Sequence, residues 1–136
     1  MPSKFRTRNI SKSSYTNYLK RAEECLHAAR DIFVNQKWNA STICAIHSCI
    51  AACDAMCVYF LGKRHAGEKH NDAVSLLRTI RKEDKELKAN ANRFNKILRI
   101  KNMAEYEERL VYKSEAEKAL KDCERFLDYV RKELPQ

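Results

Sequence analysis

Apolar residues recur every three or four positions along almost the whole chain, the spacing of one face of an α-helix. Tyr15, Tyr18, Leu19, Ala22, Leu26, Ala29 and Phe33 keep that period. They predict a first helix that starts between Ser11 and Ser14 and runs to about Gln36. Trp38 and Asn39 mark the turn that follows, and asparagine is a residue type that caps a helix start. The next helix, over 40–61, is the most apolar and belongs at the centre. Its alanines (Ala45, Ala51, Ala52, Ala55) and the stripe Cys49, Cys53 and Cys57 leave room for neighbouring helices to approach closely. Gly62 suits the left-handed residue that ends such a helix.

Residues 63–71 read as a basic loop. A short helix is predicted over 72–81 from Val74, Leu76, Leu77 and Ile80, and a longer one over 84–104 from Leu87, Ala91, Phe94, Ile97, Leu98 and Ile100. The last begins at Ser114, where Ser114 and Glu117 have the spacing of a capping box. It continues to about Leu134 on the face Ala116, Ala119, Leu120, Cys123, Phe126, Leu127 and Val130. No alternation is long enough to argue a strand, and no internal repeat occurs. The prediction is an all-α protein, an antiparallel up-and-down bundle of four long helices plus one short helix. Residues 1–12 form a flexible basic arm ahead of a single domain over 13–134.

Composition supports this. Among 136 residues only two are proline, Pro2 and Pro135, so no ring interrupts a helix between them. The apolar share of 44% suffices for one core. A net charge of +9 favours anionic partners. Two readings of it stand: basic side chains spread over every face, or a nucleic-acid face built from the clusters Arg93, Lys96, Arg99, Lys101 and Lys63, Arg64, Lys69. Six cysteines without a CxxC knuckle predict buried free thiols in a reducing cytoplasm, with no metal and no cofactor. The apolar stretch from Ile43 to Leu61 is interrupted by His47, Ser48 and Asp54, which suits a buried helix better than a membrane span.

The order of motifs resembles the HEPN family (higher eukaryotes and prokaryotes nucleotide-binding) over residues 15–133. The opening Tyr18-Leu19-Lys20-Arg21-Ala22-Glu23 carries it, with the central run from Ala45 to Ala55 and Leu61-Gly62-Lys63-Arg64. His70 ahead of a leucine-containing helix follows, then Lys101-Asn102-Met103-Ala104-Glu105-Tyr106 and the closing helix from Ser114-Glu115-Ala116-Glu117. The likeness is to small stand-alone prokaryotic members. It implies a helical bundle that forms homodimers and associates with RNA or nucleotide. It also implies, in many relatives, RNA cleavage in toxin–antitoxin systems, with a nucleotidyltransferase-like protein as one partner.

Ribonucleases of that family place an arginine four to six residues before a histidine. The histidine moves a proton while the arginine stabilises charge on the phosphate. Here none of the histidines (His27, His47, His65, His70) lies beyond position 70. Lys101-Asn102 is the nearest match to the basic–polar pair, and Tyr106 stands in the histidine place, a poor base at neutral pH. A binding or assembly role is therefore the leading expectation. Lys63, Arg64, Lys69, Arg99, Lys101 and Asn102 are its anion contacts, and a degenerate ribonuclease using Arg99, Lys101, Glu105 and Tyr106 is the alternative. His47, Asp54, His70 and Tyr106 are expected as structural polar residues. Asp54 would bond to Tyr15, Tyr18 or Tyr106, His70 would bond backbone at a helix start, and Tyr106 would pack on the first helix.

Overall fold

A computed structural model describes residues 6–135. The chain is an all-α bundle. After a short strand β1 (Thr7–Asn9) and a single 3-10 turn, it forms α1 (Tyr15–Val34) and α2 (Trp38–Leu61), then strand β2 (Lys63–His65). Next come α3 (Asn71–Arg78), α4 (Lys85–Arg99), α5 (Lys101–Tyr106) and α6 (Lys113–Glu133).

α2 is central because it is apolar nearly all round, and α1, α3, α4, α5 and α6 all pack on it. It is the one described helix long and apolar enough to cross a membrane, and most of that stretch is buried inside the bundle. Small residues let α1 and α2 close tightly: Ala22, Ala29, Ala45 and Ala52 are fully buried. Two serines of α2 then reach the backbone of α1. Ser41 Oγ donates to the Ala29 carbonyl at 2.8 Å and Ser48 Oγ to the Ala22 carbonyl at 2.7 Å. Phe94 of α4 stacks on Phe126 of α6 with ring centroids 5.2 Å apart. All six cysteines are free thiols, and Cys49, Cys53, Cys57 and Cys123 are buried in the core.

Several elements depart from the sequence reading. Residues 1–5 of the expected basic arm lie outside the described residues, but Thr7–Asn9 pairs antiparallel with Lys63–His65. Once Gly62 (φ 70°) turns the chain out of α2, the backbone that follows needs new hydrogen-bond partners, and the arm supplies them. Asn39 does not cap α2. The helix starts at Trp38, two residues earlier than expected, and the Asn39 side chain points away to bind two distant backbone groups. The helix expected over 84–104 breaks at Ile100, whose N–H bonds to the Ile97 carbonyl in a tightened last turn. The break lets α5 lie across α2. There Asn39 Nδ2 donates to the Ala104 carbonyl at 2.5 Å and Asn39 Oδ1 accepts from the Val111 N–H at 2.6 Å. At the start of α6 the capping carboxylate belongs to Glu115 rather than Glu117. It accepts from the Tyr112 N–H at 2.9 Å and pairs with Arg109. These contacts hold its carboxyl at about 2, below the ordinary 4.5.

Candidate functional site

One helical turn of α5 places Lys101 and Glu105 on the same side, since residues four apart face together. Lys101 Nζ and Glu105 Oε2 are 2.9 Å apart, and both side chains are largely buried. α5 lies across α2, so this pair meets a residue from that helix: His47 Nε2 stands 3.7 Å from Glu105 Oε1. Glu105 thus sits between an ammonium and an imidazole. Burial is the largest single influence and would raise its carboxyl, but Lys101, Tyr106 and His47 together outweigh it, and the carboxyl lies below its ordinary value.

Beside the pair opens a groove of about 270 Å³ between the start of α3 and α5, lined by Glu68, Lys69, His70, Lys101 and Asn102. Lys69 and Asn102 are exposed. His70 is half-buried, and its imidazole loses basicity first to burial and then to the Lys101 charge, with Glu105 opposing. Its ring stands 6.1 Å from that of His65. The arrangement is a polar groove walled by Lys69, Lys101, His70, Asn102 and the Glu68 carboxylate, with the Glu105 carboxylate and the His47 imidazole behind Lys101. It can hold an anion on the lysines, and a neutral imidazole beside it can accept or return a proton.

The structure divides the expected anion contacts among three places. Lys69, Lys101 and Asn102 share the groove. Arg99 faces a different cleft of about 370 Å³ between α4 and α6, with Lys96 and Lys118 on its rim and Ile97, Met103 and Ala119 beneath. Lys63 and Arg64 belong to β2. Arg64 Nη1 donates to the His65 carbonyl at 2.9 Å, and its charge acts on Asp54. Arg93 donates to Asn90 Oδ1 at 2.7 Å and faces Asp122 at 3.8 Å, so it serves the fold.

Four roles expected from sequence change. His47, expected as a polar residue of the core or of an interface, is exposed, with its ring edge 3.7 Å from Glu105 of α5. Tyr106 does not pack on α1. It is 76% exposed at the end of α5, with Lys101 Nζ 5.6 Å from its ring centre. His70 occupies the position before α3, but its side chain makes no capping bond. Asp54 makes no hydrogen bond to a tyrosine among the described residues. Burial raises its carboxyl to about 7 against the pull of Arg64 and Arg21.

The sequence reading missed the meeting of His47 and His70 with α5. A spacing motif looks for the histidine on the same segment as the basic residue, whereas here it arrives from other helices.

Among the described residues no group of three or more histidine, cysteine, aspartate and glutamate side chains gathers to hold a metal ion. None of the curated proteins compared with the chain matches it. The profile of the HEPN domain matches residues 15–133, nearly the whole length, with the groove-forming segments inside that span. With the helical bundle and the order of its motifs already in place, that match makes the chain a member of the HEPN domain family.

Proposed function

We propose that this HEPN module binds the phosphate of RNA or of a nucleotide in the groove between α3 and α5, and that it does so as a noncatalytic or weakly active homodimer. The observation that carries the reading is the convergence of Lys69, His70, Lys101 and Asn102 on one groove of a strongly basic chain. Lysines act as point charges on phosphate, and asparagine adds a hydrogen bond. Four large apolar side chains, Val34, Tyr106, Leu110 and Tyr112, are exposed and support a surface covered by a second copy or by a partner protein. A nucleotidyltransferase-like protein is the partner class the family favours. Free thiols support a reducing compartment, the cytoplasm.

The test is single-stranded RNA binding as a function of salt. A groove engaging one phosphate predicts roughly a three-fold loss of affinity between about 50 and 200 mM salt. Lys69→Gln and Lys101→Gln should weaken binding and flatten the slope, while Lys96→Gln and Arg99→Gln should not. The opposite pattern would move the site to the cleft between α4 and α6. Light scattering that finds only monomer would remove the dimer.

A second reading, a metal-independent ribonuclease toxin, gains support from His47 and His70, since imidazoles reach α5 after all. It predicts cleavage of single-stranded RNA in the presence of chelator, lost on His47→Ala or His70→Ala. Intact RNA after prolonged incubation of nuclease-free protein removes this reading and leaves the binding one in place.

A further inference from the structure

The buried cation that the groove offers a phosphate already has an anionic partner. Lys101 is the only lysine of the groove that is largely buried, and its ammonium is engaged by Glu105 Oε2 at 2.9 Å. The other oxygen of the same carboxylate faces His47 Nε2 at 3.7 Å. The Glu105 carboxylate thus takes from Lys101 the contact that a phosphate oxygen would need. Lys69, by contrast, is exposed and carries no ion pair among the described residues. An incoming ligand therefore meets one cation without an ion pair at the mouth, next to the exposed Glu68 carboxylate, and one neutralised cation at the back.

From this we propose that the groove takes a phosphate monoester, and that Glu105 is a built-in counter-anion which the ligand must displace from Lys101. The proposal rests on the phosphate-binding reading of the groove given above. The reason is charge. A phosphodiester carries one negative charge, as the carboxylate does, so exchanging one for the other at Lys101 gains little. A monoester carries about 1.5 to 2 negative charges near pH 7 and has three acceptor oxygens. It gains on exchange, with Lys69 and Asn102 available to the remaining oxygens. On its release from Lys101 the Glu105 carboxylate retains His47 or turns to solvent at the exposed end of α5. The groove, at about 270 Å³, has room for a phosphate end but little more. Free nucleoside monophosphates and phosphorylated RNA ends share this chemistry.

Fluorescence anisotropy with one short RNA sequence, ending in a 5′-phosphate, a 3′-phosphate or hydroxyls only, tests the proposal. Adenosine monophosphate and adenosine serve as competitors. The wild-type protein should bind a phosphorylated end about tenfold more tightly than the hydroxyl form, the effect of one charge-assisted hydrogen bond. Competition by adenosine monophosphate alone assigns the site to free nucleotides, and a requirement for the oligonucleotide assigns it to RNA ends. Either supports the monoester. Glu105→Gln and Glu105→Ala should both tighten binding of the phosphorylated RNA, again by about tenfold. That gain should vanish in the Lys101→Gln background, where no ammonium is left to release. Glu107→Gln, the same charge change at an exposed neighbour, should give no such gain.

Equal affinity for phosphorylated and hydroxyl ends overturns the monoester assignment. A Glu105 gain that persists without Lys101, or matches that of Glu107→Gln, overturns the counter-anion role. In both cases sensitivity to Lys101→Gln and Lys69→Gln still leaves the groove as an RNA site. Loss of that sensitivity removes the groove itself, so the two failures are told apart.

Discussion

Replacing Asn39 with alanine removes the clamp that holds α5 and the link to α6 onto α2. Its amide nitrogen donates to the Ala104 carbonyl, and its amide oxygen accepts from the Val111 N–H. Ala104 and Val111 are only 5% and 3% exposed, so water does not readily reach the backbone groups left behind. A buried polar group without a partner costs about 1–3 kcal/mol, which puts Asn39→Ala at about 2–5 kcal/mol of lost stability. With a urea slope of about 1–3 kcal/mol/M, the midpoint should fall by roughly 1–2 M. Asn39→Asp keeps the acceptor for Val111 but sets an oxygen against the Ala104 carbonyl, so it should recover little or none of the loss seen in Asn39→Ala. The damage should concentrate at α5. A helix of six residues does not form alone, so its place against His47 depends on this clamp. Urea unfolding followed by circular dichroism, with amide exchange at Val111 and across α5, measures both effects. A loss below about 1 kcal/mol, or exchange at α5 no faster than in wild type, would refute the reasoning.

Asp54→Asn should stabilise the protein in a pH-dependent way. Its carboxyl titrates at about 7 in the fold, against an ordinary 3.8. Between those values the unfolded chain ionises while the folded one holds its proton, so stability falls as pH rises from about 4 to 7 and stays reduced above. The stabilising effect of Asn should be about 2–3 kcal/mol larger at pH 8 than at pH 5, and equal gains at both would refute it. Gly62→Ala should cost about 1 kcal/mol, from backbone strain at φ 70° alone, because an added Cβ meets nothing within 4 Å. A neutral result in thermal unfolding would show that the turn relaxes. Phe94→Ala removes a fully buried ring stacked on Phe126 and should cost about 3–5 kcal/mol in urea.

The helices were legible in the sequence because each buries one stripe, and a stripe on a helix leaves a period of three to four residues that survives without any knowledge of neighbours. Leu26, Phe94 and Phe126 were placed in the core on that ground and are there. Gly62 was legible for a local reason too, the left-handed turn that glycine adopts without strain. What depends on contacts between distant segments was not legible. The break at Ile100 leaves no mark in the hydrophobic period. Asn39 read as a cap because local chemistry makes asparagine a capping residue, yet two partners far along the chain claim its side chain. The strand at Thr7–Asn9 exists only because Lys63–His65 lies beside it.

The site follows the same division. Composition and spacing alone determined a basic helical bundle with Lys101, Asn102 and Glu105 on one late segment and no histidine there. Tertiary structure decided that Arg99 faces another cleft, that Tyr106 points outward, and that His47 and His70 come to Lys101 and Glu105 from earlier helices. A spacing along the chain records which side chains share a helix face. It holds no record of which other segment is folded against them: the start of α3 beside α5 makes the groove, and the crossing of α5 over α2 brings His47 to Glu105.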